Sequence, residues 1–316
     1  MRSHSGLYVD AGYLIAAAAT RLTGSSFRAG VEVDYANLLA DLIKLVEDRS
    51  GLPILRVYWY DAARNGTATP AQEQIALLPK VKLRLGRVGV EGEQKGVDLR
   101  IGLDMVGHSR NGAVDTMYLL SGDDDLTEAV EEAQARGVQV IVLAVPTQAG
   151  AHHGVSRHLI LAADDLEVLD ADVLDASVRA ASVVSTVAAP RTPAEISAPQ
   201  PSPADIARVS TVAPSARTNF DQPISVAYSS ATATSQQDPA ALSSTIERVA
   251  AKTYKAWATS ASDAQKDELR AGRPSIPRDL DRALLVDLSE AIGEYTLSDA
   301  VRINLRAEFW VAVDRL

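Results

Sequence analysis

Over its first 170 or so positions the chain alternates short apolar runs with longer amphipathic stretches. Apolar runs at 7–9, 54–60, 81–88, 116–120 and 138–144, with a short sixth at 167–169, predict strands. The run at 138–144 is nearly continuous in Val, Ile and Leu, as in a strand covered on both faces. Between 35 and 46 the apolar residues Leu38, Leu39, Leu42, Ile43 and Val46 form the stripe of a helix packed on a core. Residues 97–106 and 126–135 follow the same spacing, 14–22 is a further helix-forming run, and Gly137 fits a helix C-cap. Alternation of this kind predicts an α/β architecture, a central parallel sheet with right-handed crossovers.

The pattern then breaks. From 176 to 240 periodicity disappears among Ala, Ser, Thr and Pro, and the segment offers too little apolar surface to offset the entropy of ordering. It reads as a disordered linker. Helical stripes return at 241–316: Ile246, Val249, Ala250, Tyr254 and Trp257, then Leu280, Leu284, Leu288 and Ile292, then Val301, Leu305, Phe309 and Val313. Pro274 and Pro277 mark the turn before the second stripe. The expected organisation is an α/β domain at 1–175, a linker at 176–240 and a small all-α module at 241–316.

Candidate chemistry gathers where strands end. Ser121-Gly122-Asp123-Asp124-Asp125-Leu126 follows the strand at 116–120 and precedes a helix. Three adjacent carboxylates repel one another. They either cap the helix, where the macrodipole favours negative charge, or hold a divalent cation, which prefers oxygen ligands. Asp10 closes the first strand, and Asp98 opens the helix at 97–106 after Lys95 and Gly96. Three separate segments thus deliver acids to the strand ends where open parallel sheets bind ligands. Asp124 ranks below its neighbours because its direction depends on the turn. Asp61 is a second-tier candidate, Asp104 is expected to be structural, and Ser121 and Thr127 could orient the acids or simply cap the turn.

Tyr8-Val9-Asp10, Lys95-Gly96-Val97-Asp98 with Asp104, and Leu120-Ser121-Gly122-Asp123-Asp124-Asp125-Leu126 resemble, in order, the motifs of NYN-domain proteins, relatives of the PIN-domain nucleases. The resemblance covers residues 5–172. It implies a PIN-like three-layer fold and a metal-dependent ribonuclease, with Asp10, Asp98, Asp123 and Asp125 holding Mg²⁺ or Mn²⁺ and RNA as substrate. Lys95 would meet a substrate phosphate. The family commonly has Asn three residues after the first Asp, and here Tyr13 stands there. The stretch from Arg273 to Trp310 resembles the C-terminal module of many actinobacterial NYN proteins, of helix-turn-helix or winged-helix type. Such a module binds RNA or protein, or self-associates. Arg270, Arg273, Arg278, Arg282, Arg302 and Arg306 keep RNA binding open, while interleaved Asp and Glu suit an ordinary solvated surface.

Composition narrows the alternatives. The 316 residues contain no cysteine, which removes disulfides, thiolate zinc sites and cysteine nucleophiles. His152 and His153 lie in a Gly-rich loop. With 31 basic and 41 acidic residues the net charge is −10, which argues against gripping long nucleic acid. Lys80, Lys82, Arg84, Arg87, Lys95 and Arg100 form either a basic rim or a solvated strand face. Asp10 and Gly12 interrupt the apolar N-terminus, so the sequence reads as neither exported nor membrane-spanning, and a cytoplasmic location is expected. Gly12 stands where a haloacid-dehalogenase-type enzyme needs a second Asp, and neither a dinucleotide fingerprint nor a P-loop is present. The rival reading is a catalytically degenerate module that binds RNA or protein.

Overall fold

A computed structural model describes residues 3–64, 66–88, 94–181, 239–294 and 297–315. The first apolar run becomes β1 (Ser5–Asp10) and leads directly into α1 (Ala11–Thr23). A one-turn 3-10 helix, Arg28–Gly30, precedes β2 (Val31–Val33). Then follow α2 (Tyr35–Ser50), β3 (Ile54–Arg64), α3 (Pro70–Ala76), β4 (Val81–Val88), β5 (Gln94–Lys95) and α4 (Val97–Arg110). Next come β6 (Thr116–Leu120), α5 (Thr127–Gln134), β7 (Gln139–Ala144), α6 (Arg157–Ala162), β8 (Asp165–Val168), α7 (Ala171–Ser177) and β9 (Val178–Ala180).

Six strands pair in parallel in the order β4-β3-β1-β6-β7-β8, and the two-residue β5 adds antiparallel to the β4 edge. Side chains alternate across the strands, so each strand feeds two cores. Leu7 and Val9 of β1, Val57 and Trp59 of β3 and Leu143 of β7 pack with α1, α2 and α7 on one face. Tyr8, Tyr58, Tyr60, Leu119 and Val142 pack with α4, α5 and α6 on the other. This is the expected three-layer α/β arrangement. β2 and β9 form a separate antiparallel ribbon, which carries the ordered chain a few residues past 175.

The C-terminal portion consists, among the described residues, of α8 (Pro239–Ser260), α9 (Asp263–Ala271), α10 (Arg278–Ile292) and α11 (Asp299–Arg315). Its core gathers Ile246, Tyr254, Leu284, Leu288, Leu305 and Phe309, the apolar positions of the three stripes, and takes in Phe27 from the α/β portion. Residues 1–183 and 238–316 cluster as one unit. Most of the expected linker, from 182 to 238, lies outside the described residues. Among the described residues no helix is long and apolar enough to cross a membrane.

Candidate active site

The strand order reverses at β1. β3 and β4 extend the sheet to one side of it, and β6, β7 and β8 to the other. Successive crossovers leave on opposite faces at such a point, and a crevice opens at the carboxyl ends of the strands. Asp10 ends β1, and Ser121 to Asp125 follow β6, its neighbour.

Asp10 caps α1, its Oδ1 accepting from the Tyr13 N–H at 3.2 Å. Its Oδ2 accepts weakly from Ser121 Oγ at 3.4 Å. Ser121, fully buried, also receives the Asp123 N–H at 3.3 Å. One hydroxyl therefore links the acid of β1 to the turn after β6. Asp123 in turn caps the 3-10 turn 124–126, its Oδ1 accepting from Asp125 N at 3.1 Å.

Asp98 lies in the first turn of α4, whose buried face packs against Tyr8 and Tyr60. Gly96 precedes it at φ +75°, a left-handed conformation that glycine adopts without strain. Burial, then the charges of Asp123, Asp10 and Asp125, push the Asp98 carboxyl up to about 6. Asp10 is also raised, chiefly by burial and to a smaller extent by Asp123, against the N–H groups of Tyr13 and Gly12 and the charge of Arg28. The four acids expected at the site thus share one electrostatic field.

The remaining candidates separate. Asp124 turns to α6, where Ser156 Oγ donates to it at 2.5 Å and His158 Nδ1 lies 3.2 Å from both its oxygens. The Ser156 and His158 hydrogen bonds hold its carboxyl below the usual range. Asp61 Oδ1 accepts from Ala62 N at 2.8 Å, and its Oδ2 accepts from Gln72 Nε2 at 2.6 Å. Asp104 pairs with Arg84 and accepts from Tyr60 Oη at 3.0 Å. Thr127 Oγ1 donates to the Asp124 carbonyl at 2.7 Å, which is turn chemistry. The side chain of Lys95 lies outside the described residues.

Tyr13 points away from the carboxylates. Its hydroxyl donates to the His153 carbonyl at 2.6 Å and accepts from Val145 N at 3.3 Å, and burial raises its pKa. It pins the 145–154 loop beneath the acidic turn. At Gly122 the same loop comes so close that a Cβ would stand 1.9 Å from the Gly154 carbonyl oxygen. Ser156 N also donates to the Gly122 carbonyl at 3.0 Å. Only glycine fits there.

Sequence reading misses Arg28. It is half-buried and within electrostatic reach of Asp10 and Asp61. No local pattern marks it, because its placement depends on how the segment after α1 returns to the sheet. Among the described residues no three His, Cys, Asp or Glu side chains already stand as a metal cage. The donor set is nonetheless wholly oxygen, mutually repelling and without a soft ligand, which suits a hard divalent cation.

Residues 6–170 match the NYN domain. Over 74 residues the chain is 42% identical to the uncharacterized protein y4oD of Sinorhizobium fredii, a stretch covering 23% of this chain and 35% of that protein. The chain thus spans about a third of that relative's length. A crystal structure of a protein of unknown function from Vibrio parahaemolyticus is similar at 23% identity and a TM-score of 0.38, over 54% of this chain and 95% of that one. With the domain match extending over more than half of its length, the chain belongs to the NYN-domain family and has its PIN-like, nuclease-type α/β fold.

Proposed function

We propose that the protein is a metal-dependent ribonuclease that hydrolyses RNA phosphodiester bonds at the β1/β6 crevice. The observation that supports this most is the electrostatic coupling of Asp10, Asp98, Asp123 and Asp125, from three separate segments, at the switch point of the sheet. These four residues would hold Mg²⁺ or Mn²⁺. When bound, such an ion polarises a scissile phosphate and lowers the pKa of a water beside it.

The chain's own residues prepare that chemistry. Ser121 holds Asp10 and the Asp123 turn together through its hydroxyl. Burial and the neighbouring acids raise the Asp98 carboxyl to about 6, so its charge is held at a cost that a bound cation would offset. Arg28 lowers the cost of the Asp10 charge. Gly122 and Tyr13 keep the acidic turn seated on the 145–154 loop.

A second reading, a degenerate module that binds RNA or a protein without cutting, draws on one observation. Tyr13 occupies the family's usual Asn position and spends its hydroxyl on the loop. Cleavage of single-stranded and hairpin RNA, compared in Mn²⁺, Mg²⁺ and EDTA, decides between them. A nuclease cuts only with the metal, whereas a binder retains RNA and cuts under no condition.

A further inference from the structure

The helical portion turns one face of α10 to the α/β portion. Ala283, Asp287 and Glu290 are spaced i, i+4 and i+7, so they share one side of that helix. Ser26 Oγ donates to the Ala283 carbonyl at 3.5 Å, and Ser26 N donates to Asp287 Oδ1 at 2.8 Å. The other Asp287 oxygen accepts from Thr253 Oγ1 of α8 at 2.8 Å. Phe27, next in the chain, is buried in a core with Ile246, Leu284 and Leu288. These contacts fix α10 before its last turn reaches the 145–154 loop.

Glu290 makes that second contact. Its Oε1 stands 3.2 Å from His153 Nε2, and a Cβ on Gly154 would lie 3.3 Å from the same oxygen. The His153 side chain is 12% exposed and that of Glu290 36%, so the imidazole is the covered partner. The same two loop residues carry the acidic turn. Tyr13 Oη donates to the His153 carbonyl at 2.6 Å, and the Gly154 carbonyl oxygen is the atom that a Cβ on Gly122 would meet at 1.9 Å. Asp123 follows Gly122 and caps the turn that holds Asp125.

Residues 145–154 join β7 to α6 with one isolated bridge, Pro146 with His152, and no strand or helix of their own. Such a segment keeps its shape through the contacts made on it. Here they come from Tyr13 of α1, from Gly122 of the turn and from Glu290 of α10. The approach at Gly122 leaves no slack, so a shift of the loop passes to the turn.

We propose that Glu290 is a positioning residue of the carboxylate site: from α10 it backs His153 and Gly154, and so holds the turn that presents Asp123 and Asp125. The helical portion is thereby part of the frame of the site. The consequence for cleavage rests on the ribonuclease reading, whereas the seating of the turn does not.

The test combines hydrogen exchange with calorimetric Mn²⁺ binding, on the full chain, for wild type, Glu290→Ala, Glu290→Gln and Glu294→Ala. Glu290 and Glu294 are both exposed, and Glu294 lies past the Gly293 cap of α10. The amides of Asp123, Asp125, His153 and Ser156 report the turn and the loop, since each donates to a partner there. In Glu290→Ala these four should exchange faster while β6 and α8 keep their protection, and Mn²⁺ should bind roughly tenfold more weakly. Glu290→Gln, which keeps the length of the side chain and one oxygen, should recover most of both, and Glu294→Ala should match wild type. Glu290→Ala that matches wild type in either measurement overturns the proposal. Faster exchange spread evenly over β6 and α8 also overturns it, because the contact then serves general stability alone. Wild type that binds Mn²⁺ but leaves RNA uncut sinks the nuclease reading, while the two measurements still decide the role of Glu290. Wild type that binds no Mn²⁺ overturns both.

Discussion

Asp98 carries the clearest trade between stability and function. Its carboxyl is pushed up to about 6 by burial and by Asp123, Asp10 and Asp125. The folded chain therefore binds this proton more tightly than an unfolded chain, whose aspartates titrate near about 3.9. The stabilisation from that proton is complete below about pH 4 and is lost as pH rises through about 6. Asp98→Asn removes the ionisation. In EDTA its Tm should exceed that of wild type above pH 6, and the two should converge below pH 4. Adding Mn²⁺ should raise the wild-type Tm and leave the variant nearly unchanged. A thermal-melting series at fixed ionic strength checks this, and coincident curves at every pH would refute it. Asp98 is legible in the sequence because a carboxylate follows Lys-Gly-Val at a helix start. Arg28 is not, since its neighbours Asp10, Asp61 and Arg282 come from three distant segments.

The elements differ in how openly the sequence announces them. β1, β6 and β7 are apolar runs because both faces are covered, and burial writes itself into composition, whereas β4 and the edge strand β8 are partly exposed and carry charged residues. β2, β5 and β9 are two or three residues long and exist because a partner lies alongside, so no local pattern marks them. The short α3 and α9 lack a long apolar stripe, yet their starts carry a local signal of another kind. Thr69 with Gln72 and Ser262 with Gln265 are capping boxes, and Pro70 opens α3. The acidic turn depends on an element the sequence only hints at, the Gly-rich loop with His152 and His153. Gly122→Ala should drive that loop off the turn, at a cost of about 1–3 kcal/mol. Urea unfolding measures the loss, and Mn²⁺-dependent cleavage should fall with it. A variant as stable and active as wild type would mean that the loop yields freely.

Across the whole molecule, two parts that look separable in sequence share a core residue. Phe27 sits among Ile246, Leu284, Leu288 and Phe309, although it comes from the α/β portion. Truncating a buried Phe typically costs about 3–5 kcal/mol. Phe27→Ala should therefore reduce hydrogen-exchange protection in α8 and α10 while β1 and β6 stay protected. Uniform loss, or none, would show that the contact does not join the two parts as described. His153 Nε2, 3.2 Å from Glu290 Oε1, is a second contact on the same border. Sequence alone does not supply this border, because residues 25–30 carry no stripe and the helices' own periodicity already accounts for their apolar positions.

The most direct test of the account is the single-turnover rate of single-stranded RNA cleavage in Mn²⁺ by wild type and Asp123→Asn, with EDTA as the blank. The carboxylate site predicts cleavage by wild type that EDTA abolishes, and a loss on the order of 10²-fold or more in Asp123→Asn with RNA affinity retained. Cleavage that survives EDTA, or an Asp123→Asn rate equal to wild type, would contradict the assignment of these acids to the chemistry.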